Sequence, residues 1–207
     1  MPARRFVSRG GEKLDGALDR LGIDLTGLRV LDAGASTGGF TDCVLARGAR
    51  EVVAVDVAYG QLDWGLRNDE RVTVLERTNV RTLDASAVGA PVDVVVADLA
   101  FISLRAVADA LLAVSRDDAR LVLMVKPQFE LPRGRVPRGG VVSDPAAWAD
   151  AIRSVVDSYR ARGCALVGVT PSALTGPKGN REFFVHLRRG GTDAPDDVIA
   201  AAIEEAP

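Results

Sequence analysis

The chain has 207 residues and a formal net charge of −2, with 47% hydrophobic and 26% charged residues, the proportions of one globular domain of ordinary size. Cys43 and Cys164 are too few for a disulfide framework, and a single histidine, His186, excludes a Cys/His or two-histidine zinc site, so no metal is expected. No apolar run reaches the ~18 residues of a membrane-spanning helix, and Met1-Pro-Ala-Arg-Arg5 lacks the apolar stretch of a secretory leader; a cytoplasmic protein with no membrane contact is expected.

In chain order, apolar spacing predicts a helix over 11–21, with Leu14, Leu18 and Leu21 on one face and Gly22 as its stop. Short β-branched runs at 29–32, 51–56, 72–75, 92–98 and 119–125 read as buried strands. Helices are expected between them, at 40–47, 62–68 and 104–114. A long amphipathic helix over 145–161 follows, then strands at 165–169 and 183–187. The segment 171–181 is too short for a crossover helix, so these last two strands should pair antiparallel. The fold class is therefore α/β, with a seven-stranded, mostly parallel sheet and an antiparallel last strand pair. Two long loops, 127–143 and 172–180, stand out as functional candidates. The stretch 192–207 reads as an acidic tail, either a loose helix or disordered.

Charge is unevenly spread. The tail holds five acids and no Lys or Arg, which leaves +3 on residues 1–191. Three segments are locally basic: one around Arg4, Arg5, Arg9 and Lys13, one around Lys126, Arg133, Arg135 and Arg138, and one around Lys178, Arg181, Arg188 and Arg189. Brought together, they would form a positive face suited to phosphates.

The first predicted strand ends at Asp32 and runs into the turn Gly34-Ala35-Ser36-Thr37-Gly38-Gly39, after which a helix begins. Glycines there allow close backbone approach to a ligand, and the helix start offers free N–H groups. Ser36 breaks the G-x-G-x-x-G spacing of dinucleotide sites. Asp56, at the end of the second strand, is placed to accept both hydroxyls of a ribose. Acids flanking a glycine turn suit a nucleoside without a pyrophosphate, and S-adenosylmethionine is the candidate cofactor. Asn79, after the third strand, is a candidate adenine contact. Asp98 and Lys126 end the fourth and fifth strands, where ligands bind in parallel sheets. Lys13 lies on the front helix and Glu182 starts the last strand.

The quartet Lys13, Asp98, Lys126 and Glu182, with the Gly34–Gly39 turn, resembles the Lys-Asp-Lys-Glu arrangement of FtsJ-type RNA 2′-O-methyltransferases. Val7-Ser-Arg-Gly-Gly-Glu-Lys-Leu14, Asp32-Ala-Gly-Ala-Ser-Thr-Gly-Gly-Phe-Thr41, Asp98-Leu-Ala-Phe-Ile-Ser-Leu104, Val125-Lys-Pro-Gln-Phe-Glu130 and Gly176-Pro-Lys-Gly-Asn180 resemble the TlyA group more closely. That group comprises ribosomal RNA cytidine 2′-O-methyltransferases also named haemolysins. The resemblance implies a Rossmann-like S-adenosylmethionine-dependent methyltransferase domain over 8–191 and a partner in ribosomal RNA or ribosomal subunits. It also implies a linker-like segment at 1–7, with Phe6 where the group often has Trp. Members usually begin with a small RNA-binding domain that these 207 residues lack, through excision or as a natural short form.

In the implied chemistry Lys126 assists removal of the 2′-proton, Lys13 stabilises developing negative charge, Asp98 orients Lys126, and Glu182 holds the lysines or the ribose. Arg4, Arg5, Arg9, Arg133, Arg135, Arg138, Lys178 and Arg181 are the expected RNA contacts. Trp64 and Phe101 are expected in packing roles, with base stacking as the other reading. An amino-group methyltransferase is the runner-up, since Asp98-Leu-Ala-Phe101 has the outline of an Asp-Pro-Pro-aromatic motif without its prolines. A membrane-active haemolysin and an RNA chaperone without turnover rank below it.

Overall fold

The computed structural model describes residues 5–176, 178–195 and 197–206. The chain alternates strand and helix: α1 (Arg9–Arg20), β1 (Arg29–Ala33), α2 (Gly39–Ala46), β2 (Glu51–Val55), α3 (Trp64–Arg67), β3 (Val72–Leu75), α4 (Ala85–Val88) and β4 (Val92–Ala97). Then come α5 (Ala108–Ala113), β5 (Ser115–Val125), α6 (Pro127–Glu130), α7 (Pro145–Arg160), β6 (Cys164–Pro171), β7 (Phe183–Arg189) and α8 (Asp197–Glu204). One seven-stranded sheet results, in the order β3-β2-β1-β4-β5-β7-β6. Strands β1 to β5 pair parallel, and β7 runs antiparallel to both β5 and β6.

The sheet is covered on both faces, which is why its central strands read as unbroken β-branched runs rather than alternating ones. On one face α1 and α2 bring Leu14, Leu18, Phe40 and Val44 onto Val94, Val122, Met124 and Phe184. On the other, α5, α7 and α8 pack Leu111, Val155, Tyr159 and Ile199 against Leu121, Leu123, Phe183 and Val185. Tyr159 is fully buried, and its hydroxyl donates to the Leu104 carbonyl at 3.1 Å. Helix α7 starts where the sequence signals it, with Pro145 in the first turn and the Asp144 carboxylate accepting from the Ala146 N–H.

The departures from the sequence reading have local causes. The 104–114 helix opens as a 3₁₀ turn at Leu104–Val107 before α5, because Ser103 caps it by accepting from Arg105 N–H. The 62–68 helix shrinks to α3, capped by Asp63. Strand β5 begins earlier, at Ser115, with exposed Arg116, Asp117 and Asp118 extending beyond the core. Inside the 127–143 loop lie α6 and a 3₁₀ turn at Arg133–Arg135. The acidic stretch folds as α8, with Ile199 and Ala202 buried against β6 and α7, because its apolar spacing outweighs its charge. Among the described residues, no helix is long and apolar enough to cross a membrane.

Candidate active site

The crevice lies at the carboxyl ends of β1, β2, β4 and β5. Gly34, just after β1, has φ +89°, and a Cβ there would sit 2.5 Å from the Asp98 carbonyl oxygen. Only glycine lets the turn press against the end of β4. Ser36 is also left-handed, at φ +50°. Its N–H donates to Asp56 Oδ2 at 2.7 Å, while Asp56 Oδ1 accepts from the Ala58 N–H at 2.8 Å. Asp56 thus locks the turn to β2 with one bond per oxygen, and each carboxylate oxygen keeps further acceptor capacity.

Asp32 sits beneath the turn, fully buried, and accepts from Thr41 Oγ1 at 2.7 Å. Burial pushes its carboxyl up to about 7, and the charges of Asp98 and Asp56 push in the same direction against the Thr41 hydrogen bond. Its Oδ1 has no hydrogen-bond partner among the described residues.

Two cavities meet at this turn. The larger, about 450 Å³, is lined by Asp56, Val57, Asn79, Val80, Leu99 and Ile102, among others. The smaller, about 120 Å³, is lined by Ser8, Gly10, Lys13, Thr37 and Phe40; Gly34, Ser36 and Asp98 wall both. With the Asp56 and Asp98 carboxylates among largely apolar walls, at a volume typical of ligand sites, this space could hold the ribose and base of S-adenosylmethionine. Asn79 borders this space, although its Oδ1 is already used by the Arg81 N–H.

The four quartet residues form two ion pairs. Lys126 Nζ contacts Asp98 Oδ1 across adjacent strand ends, with side chains 13% and 25% exposed. Lys13 Nζ lies 2.5 Å from Glu182 Oε2, with both side chains buried. Lys13 and Asp98 line the same small cavity, so the two pairs converge on one crevice.

Local sequence explains how Lys13 arrives there. A Cβ on Gly11 would meet Phe6 Cβ at 2.5 Å and the Gly39 carbonyl oxygen at 2.8 Å, and one on Gly39 the Gly11 nitrogen at 2.9 Å, so the first turns of α1 and α2 cross at backbone contact. Phe6 is buried under this crossing, and the Val7 N–H donates to Asp42 Oδ2 at 2.8 Å. The linker-like segment is therefore docked from Arg5 onward. Glu182 is placed by the 172–180 loop, where a Cβ on Gly176 would fall 2.6 Å from its Oε1.

The long loops are tied to each other. Asn180 Nδ2 donates to the Gly140 carbonyl and its Oδ1 accepts from the Val142 N–H, at 2.8 and 2.9 Å. Arg9 Nη2 donates to the Thr175 carbonyl at 2.9 Å, joining α1 to the same assembly. The three basic segments thus touch. Arg133, Arg138 and Lys178 are exposed and Arg181 is half-buried. Arg5 pairs with Asp15 at 2.5 Å and Arg135 with Asp150 at 2.8 Å. Arg4 lies outside the described residues.

The packing expectation for two aromatics is overturned. Trp64 is 68% exposed and Phe101 is 92% exposed. Phe101 has φ +64°, a strained conformation for a bulky residue, and its ring lies 5.3 Å from that of Phe129. It stands between the cofactor crevice and a neighbouring groove of about 420 Å³ lined by Gln128, Phe129, Val136 and Lys178. Val57, Leu99 and Ile102 in the crevice wall were missed, because an apolar residue after a strand carries no signal separating wall from core, and Gln61 was missed as an ordinary polar loop residue. Ser8 and Gly10 were missed as cavity residues, although their run was visible as a motif.

The FtsJ-like methyltransferase family model matches residues 6–189. The 16S/23S rRNA (cytidine-2′-O)-methyltransferase TlyA of Mycobacterium tuberculosis is 51% identical over 99% of this chain and 78% of its own length. Hemolysin A of Brachyspira hyodysenteriae is 37% identical over 88% of this chain and 77% of its own. A crystal structure of a hemolysin-named protein from Lactococcus lactis superposes with a TM-score of 0.93 at 35% identity, covering 98% of this chain and 99% of that one. The glycine-turn crevice and these likenesses agree: the chain belongs to the FtsJ-like methyltransferase family, and it is a methyltransferase whose cofactor is S-adenosylmethionine.

Proposed function

We propose that the protein methylates a ribose 2′-hydroxyl of cytidine in ribosomal RNA. The observation that carries this reading is the convergence of Lys126–Asp98 and Lys13–Glu182 on the crevice beside the Gly34–Gly39 turn. The name of the Mycobacterium tuberculosis relative supports the choice of nucleotide and RNA.

A ribose hydroxyl is a weak nucleophile that must lose its proton as its oxygen forms the new bond. S-adenosylmethionine supplies the electrophilic methyl group. Lys126, in its free-amine form, takes the proton, and Asp98 holds its Nζ at the crevice mouth. Lys13, clamped by Glu182, sets a fixed positive charge beside the oxygen as negative charge develops there. Phe101, held exposed beside the crevice and backed by Phe129, offers a stacking platform for a base drawn from its strand. Arg9, Arg133, Arg138, Lys178 and Arg181 contact phosphates around the mouth, with Arg5 and Arg135 contributing from their ion pairs; Arg4 belongs to the same proposal by sequence alone.

The test is transfer of labelled methyl to ribosomal subunits from cells lacking the modification, followed by mapping of ribose methylation. Label on a cytidine ribose is expected. Label on base nitrogen or carbon, with none on ribose, would overturn the reading.

A further inference from the structure

Strand β7 alternates its side chains, and Phe184, His186 and Arg188 share the sheet face that α1 and α2 cover farther along. Helix α1 ends at Arg20, before it covers His186 and Arg188. There, Arg120 on β5 stands directly opposite Arg188 in the antiparallel ladder. Like charges in that relation repel, and the Asp24 carboxylate attracts Arg120 without forming an ion pair with it among the described residues. Among the described residues Arg188 has no ion pair, and Arg120 makes only a 3.4 Å bond to the carbonyl of Asp24. The Asp24 carboxylate lowers its own energy on Thr26 instead, accepting from its N–H and hydroxyl.

Between the arginines and the Gly190–Gly191 turn lies a cavity of about 410 Å³ whose lining includes both guanidinium-bearing residues and no carboxylate. His186 lines it too. The residue is 7% exposed, and its two ring nitrogens are buried without a hydrogen-bond partner among the described residues. An unsatisfied buried imidazole is costly unless something supplies the missing partner. Burial, with Arg120 and Arg188 adding repulsion, lowers its pKa to about 4, so at neutral pH the ring is uncharged and carries one N–H donor.

We propose that this cavity is an anion site that holds a backbone phosphate of the substrate RNA, between Arg120 and Arg188 with a hydrogen bond from His186. The inference rests on the reading of RNA as substrate. Arg120 precedes Lys126 by six residues on one strand, roughly 20 Å at ~3.3 Å per residue. Reaching both places requires a folded RNA that passes around the domain, so the site would act as a second anchor remote from the reacting ribose.

The chain has one histidine, so the ring resonances of His186 report this site without ambiguity. Titration with a folded ribosomal RNA fragment that the enzyme methylates should shift them and raise the ring's titration midpoint. The Arg120→Gln/Arg188→Gln variant should lose that shift and keep its cofactor affinity. Its RNA affinity should show a shallower log–log salt dependence, by about 0.7–0.9 per lost contact. Inorganic phosphate serves as the second probe. A shift with phosphate alone, and none with RNA, would assign the cavity to a small free anion and overturn the proposal. An unmoved ring at RNA concentrations that saturate methyl transfer would overturn it too, while leaving ribose methylation standing. Failure of methyl transfer and RNA binding together would instead remove the functional reading on which the proposal rests.

Discussion

The two flanks of the crevice are built in different ways. The flank proposed to hold the cofactor is local: Thr41 bonds Asp32 nine residues away, and the Ser36 N–H bonds Asp56 twenty residues away. The flank that would meet RNA is assembled from afar, since Lys13 and Glu182 are 169 residues apart and Arg9 and Thr175 are 166 apart. The difference teaches where each flank is fragile. A local turn is held by the sheet beneath it, whereas the remote flank depends on side-chain bonds that join α1 and two loops. Variants on one flank should therefore act on cofactor affinity, and variants on the other on turnover or on stability.

The largest separation is expected at Lys126. Lys126→Ala removes the proposed proton acceptor, so methyl transfer should fall by about 10²–10⁴-fold, while cofactor affinity stays within a factor of two. Lys126→Arg should fail similarly, because a guanidinium stays protonated at working pH. Retained turnover in the Arg variant would show that only positive charge is needed there.

Next in size is the buried pair. Glu182→Ala leaves Lys13 charged and buried, which costs about 3–5 kcal/mol of stability. Denaturant unfolding measures it. The matched variant Lys13→Met/Glu182→Leu should recover much of that stability and none of the activity. If the double variant were also active, the pair would serve only to join α1 to the 172–180 loop.

The two acids of the cofactor flank come third. Burial raises the Asp32 pKa to about 7 in the folded protein from its ordinary value of 3.8. Between those values the folded state holds a proton that the unfolded state has released. Stability should therefore fall as pH rises from about 4 to about 7, by at most about 4 kcal/mol at 1.36 kcal/mol per pH unit. In Asp32→Asn that contribution to the slope should be lost, and thermal unfolding of both proteins across the window checks it. Asp56→Ala should cost about 1.5–3 kcal/mol of cofactor binding by calorimetry, the worth of charge-assisted hydrogen bonds. Unchanged affinity would mean that Asp56 only fastens the turn to β2.

The same contrast governs what could be read from the sequence. The cofactor flank was legible because strand, glycine turn, helix and acid follow one another within 25 residues, and each has its own chemical signature. The antiparallel pairing of β6 and β7 followed from the short segment between them, whereas the strand order had no local signal. The quartet was legible as a resemblance, but its pairing was not, because nothing local states that Glu182 grips Lys13 rather than the ribose. Phe101 was misread because an aromatic in an apolar run looks like core, and only its left-handed backbone turns it outward. The acidic tail, expected as a loose helix or as disorder, forms the helix, and its docking was hidden for the opposite reason. Charge dominates its composition, yet Ile199 and Ala202 lie three apart and bury together on the domain.

The smallest expected effect belongs to the rim of the remote flank. Arg133 and Arg138 are exposed, and Arg135 pairs with Asp150 in an ion pair that is half-exposed on both sides. Such a surface pair contributes little, about 0–1 kcal/mol, so reversing all three residues to Glu should leave the fold intact. What they can contribute is phosphate neutralisation, which depends on salt and not on sequence. The triple variant should bind ribosomal RNA about tenfold more weakly near physiological salt, with a log–log salt slope shallower by about 2 for three single-strand contacts. The loss should be alike for unrelated RNA sequences, and cofactor affinity should not move. A variant that bound and methylated subunits at the normal rate would show that the 127–143 loop faces away from the RNA. The remote flank would then hold its substrate through Arg9, Lys178 and Arg181 alone, leaving the tie between Asn180 and Gly140 as a support for Glu182 and not for the RNA path.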